Sequence, residues 1–188
     1  MMPTEIADRM SELGRAGAHN AASALEMMVG DAVTAATPVL HEVHSHDALD
    51  ALAEMVPDQE WAVLVDAGED LDGTMLILFP SGARYDYLKG LGSTDGVEDS
   101  AYAEMGNILA SRFLIGIAEV LNVAARFGPP ATAYTVRNAI FESFIACVNH
   151  TEPFHILQSG LVVGGDAATV ELLYSPGPTT VSLLTRRI

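Results

Sequence analysis

The sequence predicts an α/β fold built from two copies of one α-β unit that share a sheet through pseudo-two-fold symmetry. Three observations carry this expectation. Long stretches near residues 4–29 and 99–127 place apolar side chains at helical spacing. Asp8, Glu12, Arg15 and Pro38 each precede Ser100, Glu104, Asn107 and Pro130 by 92 positions. Short apolar runs follow each stretch, and LILFPSG late in the first half is similar to ELLYSPG late in the second. The expected organisation is one domain over 1–188, with the first copy at about 4–91 and the second at about 96–188.

Taken in order, Thr4 to Val29 reads as one amphipathic helix, opened by Pro3 and Thr4 and ended by Gly30. Its inward face is small in side chain: Met10, Gly14, Gly17, Ala21, Leu25 and Met28. Interior glycine costs roughly 1 kcal/mol relative to alanine, so close packing must supply the difference. Pro38 opens a strand through Val43. Asp47 to Val56 fits a short helix capped by Ser45 or Asp47 and stopped by Pro57. Trp61–Asp66 and Thr74–Phe79 form a hairpin around DAGEDLDG. Its carboxylates, Asp66, Glu69, Asp70 and Asp72, lack the ligand order of a calcium loop, which favours a solvated turn. Pro80 to Leu91 is a helix or turn, and Thr94 or Asp95 can cap the helix after it.

That second long helix runs from Asp99 to near Phe127 and closes at Gly128, Pro129 and Pro130. Tyr102, Gly106, Leu109, Phe113, Ile117 and Val120 face inward, while Ser100, Glu104, Asn107 and Ser111 form an outward stripe. Val136, Ile140, Phe144 and Cys147 give a further amphipathic helix. Phe154–Val163 and Thr169–Tyr174 then pair as a hairpin turned at Gly164, Gly165 and Asp166.

Composition limits the function. A net charge of −16 argues against nucleic acid and anionic membrane surfaces as partners. Lys89 is the sole lysine, and so acidic a surface resembles those of halophilic, archaeal proteins that work in molar salt. Cys147 stands alone in the apolar run FIACV, which points to an inert thiol and excludes an intrachain disulfide. MMPTEIADRM has no secretory pattern, and charges such as Arg112 and Glu119 interrupt the apolar segments, so the expected location is cytoplasmic. In HEVHSH, His44 and His46 alternate with Glu42 onto one strand face, and His41 precedes them. The spacing is one residue short of the metalloprotease helix motif. Solvated histidines at a strand end explain it equally, so no metal site is assigned.

The pattern Asp or Ser, three residues, Glu, two residues, Asn, twenty-two residues, Pro resembles the signature of the CheC family of chemotaxis phosphatases, related to CheX and FliY. The second copy satisfies it from Ser100 through Pro130. The first departs from it at Arg15, where the family has Asn. ELGRAGAHNAASAL and EMGNILA are also similar to the family's wording. The resemblance implies two motif helices side by side on one face of the sheet. It also implies hydrolysis of the aspartyl phosphate of the response regulator CheY. Asn107 would orient the attacking water, and Glu104 would pair with the regulator's lysine. No cofactor of the chain's own is implied, because Mg²⁺ belongs to the regulator. Arg15 donates hydrogen bonds but cannot accept them, so the first site, with Asp8 and Glu12, is expected to be catalytically dead. Ser100 is expected to cap or pack beside the motif, Pro130 and Pro38 to set the strands after them, and Asn20 to pack between helices. The rival expectation is an adaptor that binds the receptor deamidase CheD or components of the flagellar switch. A chain holding both copies is expected to be a monomer.

Overall fold

A computed structural model describes residues 4–56, 59–80, 98–134, 137–148, 152–164 and 169–186. In chain order the elements are α1 (Thr4–Val29), β1 (Val33–Ala35), β2 (Val39–Val43), α2 (Ala48–Met55), β3 (Gln59–Glu69) and β4 (Gly73–Pro80). Then come α3 (Glu98–Leu121), β5 (Ala125–Phe127), β6 (Ala131–Tyr134), α4 (Arg137–Val148), β7 (Phe154–Val163), β8 (Thr169–Pro176) and α5 (Pro178–Arg186). The expected turn within Pro80–Leu91, the caps at Thr94 and Asp95, and the turn residues Gly165 and Asp166 lie outside the described residues.

The duplication appears as geometry. Helices α1 and α3 end 92 positions apart, at Val29 and Leu121, and β1 and β2 begin 92 positions before β5 and β6. Eight antiparallel strands form one sheet in the order β1-β7-β8-β4-β3-β5, with β2 also on β7 and β6 also on β3. Ile77 of β4 pairs with Leu172 of β8. These two occupy the same place in LILFPSG and ELLYSPG, and a residue meets its own repeat image only on a two-fold axis. The halves are interlaced, because the first half's β1 and β2 complete the second half's hairpin and β5 and β6 complete the first half's. All described pairings are antiparallel, so the α/β expectation holds as mixed α and β elements without βαβ crossovers.

Helices cover both faces of the sheet, and the strands are apolar on both sides as a result. Along β4, Met75, Ile77 and Phe79 enter the core beneath α1 and α3, while Leu76 and Leu78 enter the core beneath α2 and α4. Tyr102 stacks on Trp61 at 4.9 Å and meets Phe79 edge-on at 5.0 Å. These rings lock α3 to the sheet.

Several expectations change. Helix α3 stops at Leu121, where Asn122 turns left-handed (φ 50°), and not near Phe127. Pro130 therefore does not end the helix; it stands before β6. Val120 is 50% exposed and Leu121 takes its inward place. From Ile117, a step of four residues overshoots the same face by about 40° whereas three fall short by about 60°, so the later position wins. Asp47 makes no side-chain cap on α2. Strands β1 and β5 and helix α5 escaped the sequence reading; three-residue strands carry too little periodicity to register.

The acidic turn is solvated as expected, with Asp66, Glu69 and Asp70 exposed, but its carboxylates also hold neighbouring elements. Asp66 accepts a hydrogen bond from Thr74 Oγ1 (2.9 Å), and Glu69 pairs with Arg126 of β5 (2.5 Å). Asp72 accepts from the backbone N–H groups of Thr179 (3.1 Å) and Thr180 (2.7 Å), capping α5 from 107 and 108 residues away. Burial alone would raise the Asp72 carboxyl, but these hydrogen bonds outweigh it and hold it below its ordinary value. The loop thus fastens both neighbouring elements.

Candidate functional site

Helices α1 and α3 lie against each other on one face of the sheet, brought close by glycine. A Cβ at Gly17 would sit 2.8 Å from the Phe113 carbonyl oxygen, and one at Gly116 would sit 2.8 Å from the Ala16 carbonyl oxygen. Asn20 Nδ2 lies 3.0 Å from that same Gly116 position, which places Asn20 in the helix seam.

The same device sets each motif. Gly14 precedes Arg15, and a Cβ there would meet Leu157 Cδ2 at 2.7 Å and Pro38 Cβ at 3.0 Å. Gly106 precedes Asn107, and a Cβ there would meet Val63 Cβ and Cγ2, each at 2.5 Å. Each motif helix thus touches the sheet backbone-close at the residue before its key side chain. Buried Pro38 forms part of the seat for α1.

Glu104 is exposed and Asn107 half-buried, one turn apart on the outer side of α3. Tyr102, Met105 and Gly106 fill the inner side. Among the described residues neither Glu104 nor Asn107 has a hydrogen-bonding or ionic partner. Ser100 is exposed in the first turn of α3, one turn before Glu104. Pro130 is half-buried. In the first copy Asp8, Glu12 and Arg15 are all exposed. Arg15 and His19 line a groove of about 440 Å³ between α1 and the segment Val33–Thr37, with Glu26 at its far end.

Two other groups of polar side chains are distinct from this surface. Cys147 is half-buried beside a cavity of about 340 Å³ that Asp66 and Asp72 also line. Burial, then the Asp66 charge, pushes its thiol up, which keeps it protonated and supports the inert reading. His44, His46 and Glu152 meet at the start of α2; Glu152 is the member sequence reading could not find, being 108 residues from His44. Glu42, which the sequence places on one strand face with His44 and His46, instead lies 3.6 Å from His155.

No protein-family model matches the sequence, and no curated protein matches it. Solved structures do. FliY of Thermotoga maritima superposes with a TM-score of 0.70 at 16% identity, covering 99% of this chain and 96% of that one. The fold is that of the CheC-like proteins. FliM in the H. pylori FliM–SpeE complex shares it at a TM-score of 0.64 and 8% identity over 100% of this chain and 98% of that one. So does the structure of the CheX–CheY–BeF3–Mg²⁺ complex from Borrelia burgdorferi, at 0.57 and 15% over 87% and 97%. The expectation of two motif helices side by side holds in this CheC-like fold. No helix among the described residues is long and apolar enough to cross a membrane.

Proposed function

We propose that this chain ends a chemotaxis signal by hydrolysing the aspartyl phosphate of a CheY-type response regulator. The observation that carries the reading is the pair of exposed Glu104 and half-buried Asn107 on the outer side of α3, in a fold shared with a CheX that was solved bound to CheY. In the reaction, water attacks phosphorus opposite the aspartyl oxygen. The P–O bond to the carboxylate breaks, inorganic phosphate leaves and the aspartate is regenerated. The regulator's own Mg²⁺ and lysine neutralise the phosphoryl oxygens, so the helix has to supply position more than charge. The carboxamide oxygen of Asn107 accepts a hydrogen bond from the water without bringing a negative charge beside an anion. Glu104, one turn away, pairs with the regulator's lysine and fixes the register of docking. Arg15 can do neither, and its charge opposes that lysine.

The test is the decay of a phosphorylated CheY with and without this protein. Wild type accelerates it, and Asn107→Ala reduces the acceleration about a hundredfold while the melting temperature holds. Unchanged decay with Asn107→Ala overturns the assignment. A second reading, an adaptor for CheD or for the flagellar switch, is favoured by Arg15 at the first site and by the shared fold with FliM. A chain that leaves phosphorylated CheY untouched yet binds CheD or a switch component decides for that reading.

A further inference from the structure

Strand β2 runs antiparallel to β7, with Glu42 opposite His155 and Val43 opposite Phe154. The chain leaving β2 therefore meets the chain entering β7, and His44, Ser45 and His46 come against Glu152. Four of the six histidines, His41, His44, His46 and His155, lie along this edge of a chain whose charge is −16. One ligand atom each from His44, His46 and Glu152 fall within 4.8 Å of one another. A tetrahedral ion with bonds of about 2.0–2.1 Å needs ligand atoms roughly 3.3 Å apart. Exposed side chains close that difference by rotation alone.

The surroundings are those of a ligand set. His44 Nδ1 already sits 3.1 Å from Glu152 Oε1. The backbone N–H of Ser45 donates to both carboxylate oxygens, at 3.2 and 3.3 Å, and its hydroxyl donates to Oε2. His46 Nε2 lies 3.0 Å from Asp47 Oδ2. An imidazole that gives its Nε2 proton to a carboxylate keeps its Nδ1 lone pair for a metal, as outer carboxylates do for metal-bound histidines.

We infer that His44, His46 and Glu152 form a surface site for a zinc-class divalent cation that staples the end of β2 to the start of β7. Two imidazoles and one carboxylate select Zn²⁺ or its transition-metal neighbours over Mg²⁺, which prefers an all-oxygen shell. The site lies on the side of the sheet under α2 and α4, where Val43 and Ala48 are buried, whereas Glu104 and Asn107 lie on α3 across the sheet. Its occupancy therefore tests nothing about phosphatase activity and does not depend on it.

The experiment is calorimetric titration of ZnCl2 into the untagged, EDTA-stripped chain, with MgCl2 as the control. One equivalent of Zn²⁺ is expected to bind saturably and to raise the melting temperature by roughly 5–10 °C at a hundredfold excess over Kd, with no response to Mg²⁺. The His44→Ala and His46→Ala variants should each bind at least tenfold more weakly, and Glu152→Gln likewise. Equal affinity in the His44→Ala/His46→Ala double variant, no saturable equivalent, or an equal response to Mg²⁺ overturns the site. Should a variant fail to fold, Cu²⁺ added to the wild-type chain decides by NMR. Broadening centred on the ring protons of His44 and His46 supports the site, and broadening centred on His19 refutes it.

Discussion

Replacing Gly106 by alanine alters the seat of Asn107 without touching its chemistry. A Cβ at 106 would lie 2.5 Å from Val63 Cβ and Cγ2 and 2.8 Å from Cγ1, where ordinary contact begins at 3.4 Å. Val63 is fully buried, and its branched side chain is restricted at χ1. The helix is therefore the part that moves, by about 0.9 Å away from β3. Overpacking of this kind costs about 1–3 kcal/mol, and alanine's better helix propensity offsets roughly 1 kcal/mol of it. For a chain of this size a net loss of about 1 kcal/mol lowers the melting temperature by roughly 2–4 °C. Asn107 rides on the same turn, and a shift of about 1 Å costs on the order of a hundredfold where water placement governs the rate. The assay pairs a calorimetric melt with the decay of phosphorylated CheY. The expected signature is a large loss of rate with a small loss of stability, with much of the rate restored by Val63→Ala in the same chain. Gly14→Ala is the control. It clashes with Leu157 and Pro38, so it should lower the melt similarly while sparing the rate. A Gly106→Ala chain as active and as stable as wild type would refute the reasoning.

Three further outcomes follow from named contacts. Arg15→Asn should give the first copy a water-accepting carboxamide and raise the decay rate by up to about twofold, whereas Arg15→Ala should leave it unchanged; an Arg15→Ala chain without activity would place catalysis in the first copy. Asp72→Ala should cost about 1 kcal/mol through loss of the α5 cap, read as a melt lowered by roughly 2–4 °C; an unchanged melt would mean that Gly177 N–H and Thr180 Oγ1, which both bond the Asp72 carbonyl oxygen, suffice to hold the helix. Burial lowers the His155 imidazole from 6.5, against a partial pull upward from Glu42. The unfolded chain then takes up this proton first, so the contribution of neutral His155 is complete above about pH 6.5 and erodes as the pH falls below it. His155→Gln should flatten that part of the stability profile measured by denaturant titration, and an unaltered slope would count against a buried neutral His155.

How much was legible from residues alone depended on whether the signal was local. The motif helices could be read because Met10 to Leu25 and Tyr102 to Ile117 keep a 3.6-residue rhythm, and every one of those inward positions is buried. Strand β7 could be read to the residue, as Phe154–Val163. Pairing partners could not. That β2 lies on β7, that Asp72 caps α5 and that Glu152 faces His44 are contacts across more than a hundred residues, and no spacing rule encodes them. At the site, helical spacing could name Glu104 and Asn107 as an outward pair. It could mark Gly106 as small and inward, but not that Val63 lies 2.5 Å from where its Cβ would be.

The interlaced sheet also explains how one half can carry an Arg where the other carries an Asn without the first helix becoming dispensable. Gly14 rests on Leu157, a strand residue of the second half, and Gly17 rests on Phe113 of α3. Helix α1 therefore supports α3 from the side, and the second half's β7 supports α1 from below. An Arg in place of Asn at position 15 alters only an exposed side chain, while a change at Gly17 propagates through Phe113 into the core beneath Asn107. Chemistry and scaffold occupy opposite sides of the same helical turn. On the proposed reading, the first copy can therefore lack the carboxamide at Arg15 and still fix the position of Asn107.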